Sequence, residues 1–206
     1  MTFILHDLSV VILADPWNPA MFNQHWLINN KIFVENEELL AAISAPQVSN
    51  FRTKQFNILV LPTQLQFEIN PELSEYPYNK LVEILQRVDY APIRAIGVNF
   101  KWKQDTEGEA IPKFTRSNYC YSDSSIFRKF TDDNAKFGLY LSKDFLTSRL
   151  KLNILPIREK SGDEYVQYSF NYHHDLNKET DYQKAIDIVK NWKAYFDHTR
   201  QIIDSY

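Results

Sequence analysis

Two stretches of alternating polar and apolar residues, one in each half of the chain, each precede a helical pattern. The first runs from Gln64 to Asn70 and the second from Tyr165 to His174. A period of two residues is typical of a strand with one buried face. The stretches therefore predict two strands of one antiparallel sheet, each followed by a helix that packs on its apolar face.

The helices after these strands are predicted by apolar residues at i, i+3, i+4 and i+7 spacing. The first helix begins near Pro77, and its apolar positions are Leu81, Ile84, Leu85 and Val88. The last helix has a capping-box pattern at Thr180 and Gln183. Its apolar stripe consists of Tyr182, Ile186, Val189, Trp192, Phe196 and Ile203.

Further strands and turns complete the predicted sheet. A near-central strand at residues 3–13 carries Ile4, Leu8, Val10 and Ile12 on one side, interrupted by His6. Residues 93–103 alternate in the same way. Hairpins are predicted around Pro62-Thr63 and around Ser161-Gly162-Asp163, and short helices at residues 19–26 and 124–130.

These elements predict an α+β fold, an antiparallel sheet with helices packed on one face. We expect a single domain over residues 1–206, because no flexible linker divides the chain. Residues 1–90 and 91–206 share the order strand, short helix, two to three strands, longer helix. A duplication explains this pseudo-repeat, and coincidence remains the alternative.

Composition excludes several classes of function. Lys and Arg number 23 against 26 Asp and Glu, a net charge of −3, so nothing in the overall charge favours nucleic acid. A single cysteine, the lack of a signal-peptide pattern and the lack of a membrane-length apolar run predict a soluble cytoplasmic protein. The chain has only four glycines, and no phosphate-binding loop is present. No cofactor and no bound metal are expected.

The most evident candidate for catalysis is His173-His174-Asp175. Neighbouring side chains on a strand point to opposite faces, so the two imidazoles cannot share one metal without a bulge. His174 is expected at the core edge with a hydrogen bond, and His173 on the polar face. His198, far around the last helix from Phe196, is expected in solvent.

Other candidate residues favour structural roles. Cys120 lies between two tyrosines without a nearby base, which favours an inert, buried thiol. The acidic loop with Asp105, Glu107 and Glu109 lacks the final ligand of a calcium loop. We expect a solvated hairpin tip there.

A basic and aromatic region suggests the least favoured function, single-stranded nucleic-acid binding by stacking and phosphate contact. This hypothesis requires Arg116, Arg128 and Lys129 to share one face. Neighbouring basic residues are Lys113 and Lys136, and Asp123, Asp132 and Asp133 partly cancel the charge.

The polar sheet face is the candidate binding surface. If the strands are neighbours, their outward side chains form one broad hydrogen-bonding floor, although an open sheet normally solvates such a face. The candidate partner-binding residues are Gln64, Gln66, Glu68, Asn99, Lys101, Gln167, Asn171 and His173.

One segment resembles a known family. Asp7-Leu8-Ser9, followed by Pro16, Pro19, Phe22 and Trp26, resembles the start of the SecB export chaperones. The interval from Asp7 to Pro16 is longer than in that family, and nothing after Trp26 follows it. The resemblance implies a cytosolic protein that binds other polypeptides without chemistry. Gly97 to Phe100 and Asn171 to His173 also resemble motifs of uncharacterised bacterial proteins, which imply no function.

The leading hypothesis is a non-enzymatic cytoplasmic accessory protein, chaperone-like or neutralising, that docks another protein on the polar sheet face. One alternative is a metal-assisted hydrolase with a site near His173 and Asp175, and the other is single-stranded nucleic-acid binding. No membrane partner is expected, and self-association into a homo-oligomer stays open.

Overall fold

The structure is a computed structural model that describes residues 2–34, 38–88, 91–121, 123–177 and 181–205. Its first half contains five strands and two α-helices, with a short 3-10 helix at Pro19–Met21 before α1. In chain order these are β1 (Phe3–Ala14), α1 (Gln24–Asn29), β2 (Ala41–Ala45), β3 (Val48–Arg52), β4 (Phe56–Leu61), β5 (Gln64–Ile69) and α2 (Tyr78–Arg87).

The second half contains four strands and three α-helices, with a short 3-10 helix at Phe127–Lys129. The elements are β6 (Ile93–Gln104), α3 (Ile111–Tyr119), β7 (Leu139–Phe145), β8 (Ser148–Arg158), β9 (Glu164–Asp175), α4 (Tyr182–Lys190) and α5 (Trp192–Ile203). The α+β prediction with an antiparallel sheet is therefore confirmed.

All nine strands form one sheet in the order β2-β3-β4-β5-β1-β6-β9-β8-β7. Every neighbouring pair is antiparallel. The predicted turns at Pro62-Thr63 and Ser161-Gly162-Asp163 connect β4 to β5 and β8 to β9. Gly162 adopts a φ of 99°, a left-handed conformation that glycine enters at little cost.

One face of the sheet forms the core. Leu8, Val10 and Ile12 of β1 are at most 1% exposed and face the same way as Val98 and Phe100 of β6. The same side of β5 and β9 is also buried, as the alternation predicts. Removing these apolar side chains from water is the main stabilisation of such a sheet.

The helices contact this apolar face through aromatic side chains. Phe196 of α5 lies 5.8 Å from Phe100 and 6.0 Å from Trp102, measured between ring centroids. Tyr195 lies 5.0 Å from Tyr172 of β9. The opposite side of the sheet, which carries Ser9, Gln66, Asn99 and Asn171, is called the open face below.

A bulge in β1 corrects one predicted face. The pairing with β6 shifts between Leu5 and Asp7, so His6 is an extra residue. Ile4 consequently lies opposite Lys103 and is 59% exposed, although the sequence placed it with Leu8 and Val10. A single inserted residue moves the side chains of all preceding strand residues to the opposite face of the sheet.

Three helix predictions need correction. Helix α3 follows the acidic loop, where the sequence pattern predicted no helix and only a solvated hairpin tip at Asp105, Glu107 and Glu109. The helix predicted at residues 124–130 is only the 3-10 turn at Phe127–Lys129. The last helix is divided at Asn191 into α4 and α5. The predicted cap residue Thr180 lies outside the described residues.

The two halves have similar but unequal strand orders. From the central pair β1 and β6, the strands β5, β4 and β3 follow on one side and β9, β8 and β7 on the other. The first half has four strands after its short helix, one more than the predicted two to three, because β2 adds an outer strand. A duplication of the halves stays a prediction.

Two glycines provide a test of strand packing. A Cβ on Gly138 would lie 2.5 Å from the backbone oxygen of Ile154, whereas one on Gly97 would meet the side-chain nitrogen of Asn171 at 2.9 Å. Since a backbone cannot move aside as an asparagine side chain can, Gly138→Ala is expected to destabilise the fold by about 1–3 kcal/mol. Gly97→Ala should change stability by less than about 1 kcal/mol, because a lower entropy of the unfolded chain offsets the disturbed side chain. Urea denaturation of both variants measures the difference, and equal losses would contradict the packing described.

No α-helix within the described residues is both long and apolar enough to cross a membrane.

Candidate protein-binding face

A continuous row of mainly polar residues crosses the open face from edge to edge. The strand register places each member beside the next. In spatial order the row is Ser142, Lys151, Asn171, Asn99, Ser9, Glu68, Asn57, Arg52 and Ala41. Neighbouring strands lie about 4.8 Å apart, so the row presents closely spaced hydrogen-bonding groups.

All eight predicted partner-binding residues lie on this open face. Gln64, Gln66 and Glu68 are on β5, and the other five are on the adjacent pair β6 and β9. Strand β1 separates these two groups. Its Asp7, Val11 and Leu13 are half-buried on the open face, and Ser9 is buried there at 6% exposed. These four residues were not predicted as part of the face, although their alternation with Leu8, Val10 and Ile12 indicated them.

Side-chain amides are linked to one another at the centre of the open face. The Asn171 amide donates a hydrogen bond to Oδ1 of Asn99 over 2.6 Å, and the Asn99 amide donates to the Gly97 carbonyl over 3.3 Å. Gly97 permits this close arrangement because it has no Cβ. The Gln167 amide likewise donates to the Ser169 hydroxyl over 2.8 Å. These bonds pre-organise the surface, which lowers the cost of ordering side chains when a partner binds.

Ion pairs neutralise charges near the bulge in β1. The Lys101 ammonium donates to Asp7 over 2.7 Å, and Lys103 donates to Glu159 over 2.6 Å. The second contact raises the pKa of Lys103 and lowers the pKa of Glu159. Burial and then the charge of Lys103 lower the pKa of His6. Neutral His6 is therefore favoured beside these pairs.

Glu68 and Lys151 carry charges without an oppositely charged partner among the described residues. The Glu68 carboxylate accepts hydrogen bonds from the amides of Asn57 over 3.1 Å and Gln66 over 2.7 Å. Because these donors are neutral, Glu68 keeps its negative charge available to a partner, as Lys151 keeps its positive charge.

The first half of the open face is less polar than the sequence analysis expected. Leu59 and Leu61 of β4 lie on this side. They occupy the same cross-strand rows as Val11 and Leu13 of β1, with one β5 residue between the members of each pair. Ile43 on β2 is 50% exposed. The predicted hydrogen-bonding floor is therefore confined mainly to β6, β9 and β8, and a mixed apolar region adjoins it. Such mixing is typical of protein interfaces.

His173 and His174 lie on opposite faces, as the strand pattern predicted. The Nε2 atom of His173 lies 3.1 Å from Oδ1 of Asp175 on the open face. Within the described ranges, no three His, Cys, Asp or Glu side chains come close enough together to hold a metal ion. The hydrolase alternative therefore lacks a convergent site in this part of the chain.

Two histidines are buried, and the burial of His198 differs from its prediction. His174 is only 1% exposed and lies on the core side of β9, as the strand pattern predicted. Burial and then the charge of Lys184 lower the pKa of His174 to about 4. His198, expected in solvent, is 9% exposed, and its Nδ1 lies 2.8 Å from the Tyr172 hydroxyl. Its ring stacks on Phe145 at 3.8 Å.

The basic region is largely engaged in contacts within the chain. Arg116 donates to the backbone oxygens of Asp132 over 2.6 Å and Phe130 over 3.3 Å. Lys113 pairs with Glu109, and Lys136 pairs with Glu164. Arg116 thus holds the segment after α3 by hydrogen bonds within the chain. It is therefore less available to contact a phosphate, as the nucleic-acid alternative requires.

Cys120 is half-buried rather than buried as predicted, and it packs against the core. The acidic loop does not form a hairpin tip; it leads into α3, where Glu109 pairs with Lys113 one helical turn later.

The chain matches no protein-family model and no curated protein.

Proposed function

We propose that this chain is a non-enzymatic cytoplasmic protein that docks another protein on the open face of its sheet. The observation that supports the proposal is the row from Ser142 to Ala41 on the open face, whose side-chain amides are linked on β6 and β9 and adjoin an apolar region on the first-half strands. The resemblance of the N-terminal segment to SecB chaperones supports the same class of function. A chaperone-like or neutralising accessory role belongs to this proposal.

The chemistry of the surface favours a folded or extended polypeptide as partner. Asn99 and Asn171 present both donors and acceptors, which match the backbone and amide groups of a protein. Unpaired Glu68 and Lys151 lie four strands apart in the same row, so a partner with separated opposite charges would be oriented on the face.

The proposal is tested by affinity purification of the tagged protein from its native cells. Replacing Gln66, Gln167 and His173 together by alanine should remove a stoichiometric partner, because three hydrogen-bonding side chains are lost from the face. The folded state should persist, since the three side chains are half-buried on the open face and none belongs to the core.

A matched variant carries alanine at Gln86, Gln183 and Gln201, which are exposed on the helices. It should retain the partner. Retention by the face variant, or equal loss from both variants, would refute docking on the open face.

A further inference from the structure

The central strand β1 is paired on both sides over only part of its length. Its pairing with β6 extends from Phe3 to Ala14, but β5 pairs only with Ser9 to Leu13. Along Phe3–Leu8, β1 therefore has one hydrogen-bonded strand neighbour among the described residues. The space beside this segment is called the notch.

The notch exists because the first-half strands are short. Strand β5 has 6 residues, whereas its counterpart β9 has 12 and pairs with β6 along nearly the whole strand. The chain leaves the sheet after Ile69, where Asn70 donates from its backbone to Gln55 and from its side chain to Lys54. Pro71 follows and cannot donate to β1, since it has no N–H group.

A cavity of about 650 Å³ occupies the notch. His6, Asp7 and Leu8 of β1 line one side, and Arg52 and Leu40 belong to the residues that line the remainder. The volume is within the roughly 300–1,000 Å³ that is common for ligand sites. The bulge contributes by placing His6 and Asp7 next to each other along this edge.

The free edge has the dimensions of a short strand site. Six residues at about 3.3 Å each give an edge of about 20 Å. An unpaired strand edge presents N–H and C=O groups that another chain can bind by strand addition. The bulge at His6 interrupts the regular hydrogen-bond pattern, so the backbone alone offers a short pairing segment and side chains must contribute to binding.

The charges around the cavity favour a basic strand. Glu68 and Glu72 line the cavity, and neither has a basic partner among the described residues; Arg52, also in the lining, has no acidic partner there. Of the other charged lining residues, Asp7 is paired with Lys101, and Lys54 is paired with Glu38. Two unpaired carboxylates against one unpaired cation leave a net negative site for a lysine or arginine.

We infer that the notch binds an extended segment of a partner protein, about five residues long, which carries a basic residue and adds as a strand to β1. The inference rests on the proposed function in that the ligand is a polypeptide. Its site is the free edge Phe3–Leu8 and the cavity, which shares Glu68, Asn57 and Arg52 with the row on the open face. Leu40, which is 51% exposed, lines the cavity, and Ile4, which is 59% exposed, lies on the free edge of β1. Both suit an apolar residue beside the basic one.

The test begins with selection of random twelve-residue peptides on the immobilised full chain, followed by amide hydrogen exchange with each selected peptide. The expected peptides contain a lysine or arginine beside apolar residues. They should slow exchange within residues 3–8, since strand addition engages amides that face the notch. Glu72→Lys should raise the dissociation constant about threefold to fivefold.

Glu75→Lys is the matched control, because Glu75 is exposed in the same loop but does not line the cavity. It should leave the dissociation constant unchanged. A larger effect of Glu75→Lys, slowed exchange confined to β2 or β7, or no enriched peptide would overturn the inference. So would slowed exchange of residues 3–8 on self-association alone, which would identify a second copy as the occupant.

The outcomes separate the notch from the open face. One outcome is a partner that the variant with alanine at Gln66, Gln167 and His173 no longer binds, but that does not slow exchange of residues 3–8 in the wild type. This outcome would overturn binding in the notch and support docking on the open face. A selected peptide that binds this variant with unchanged affinity and slows exchange of residues 3–8 supports peptide binding in the notch. This result does not depend on whether the open face docks a partner.

Discussion

Phe100→Ala is expected to lower the free energy of unfolding by about 3–5 kcal/mol, the usual cost of truncating a fully buried phenylalanine. Phe100 is 0% exposed at the centre of β6. Its ring meets Tyr172 of β9 at 6.1 Å and Phe196 of α5 at 5.8 Å. The truncation would leave a cavity between the sheet and the helix, which the surrounding rings can fill only in part. Urea denaturation measures the loss.

Lys101→Ala is the matched control, one residue further along the same strand. Its side chain is 40% exposed on the open face, where it pairs with Asp7. Removing a partly exposed ion pair should cost less than about 1 kcal/mol. A comparable loss in the two variants would contradict the assignment of the core and open faces.

Acid is expected to destabilise the fold through His174. Because its pKa is lowered to about 4 from 6.5, the folded state resists a proton that the unfolded chain accepts. Above pH 6.5 the imidazole is neutral in both states and contributes no pH dependence. As the pH falls from 6.5 to 4, stability should decrease progressively, by about 3 kcal/mol from this group, and then level off.

The measurement is chemical denaturation between pH 7 and pH 4 for the wild type and His174→Leu. The leucine variant should lose much of the acid dependence. It should remain folded at pH 7, since an apolar side chain replaces a buried imidazole of similar size. His173→Leu controls for the loss of a histidine at this end of β9. An unchanged pH dependence in His174→Leu would show that the buried imidazole is not responsible.

The alternation of polar and apolar residues predicted most of the sheet because each strand has one solvated face and one buried face. The facing of β5, β6 and β9 followed directly from residues such as Phe67, Val98 and Phe170. The face on which Ile4 lies was not predictable in this way. A bulge depends on how β1 aligns with β6, and the spacing of residues in the sequence contains no information on that alignment.

Helix α3 was missed because polar residues and a proline obscure its apolar stripe. Its buried positions are Ile111, Phe114, Thr115 and Tyr119, which follow the i, i+3, i+4, i+8 pattern of one helix face. Pro112 lies in the first turn, where a missing N–H has little cost. Counting Thr115 with the apolar residues would have revealed the helix.

The membership of the candidate face was predictable, but its layout was not. Side-chain alternation put Gln66 and Asn171 on the outward side of their own strands. Only the strand order shows that β1 lies between them and brings Val11 and Leu13 to the surface. Likewise, the burial of His198 depends on Phe145 from the edge strand β7, a contact that helical spacing cannot reveal.

Amine labelling of the purified complex tests docking on the open face most directly. Lys101 and Lys184 are comparably exposed, at 40% and 45%, but the first lies on the open face and the second on α4. Binding of the partner should reduce labelling of Lys101 and Lys151 and leave Lys184 unchanged. Reduced labelling of Lys184 with unchanged Lys101 and Lys151 would place the partner on the helices and contradict the proposed function.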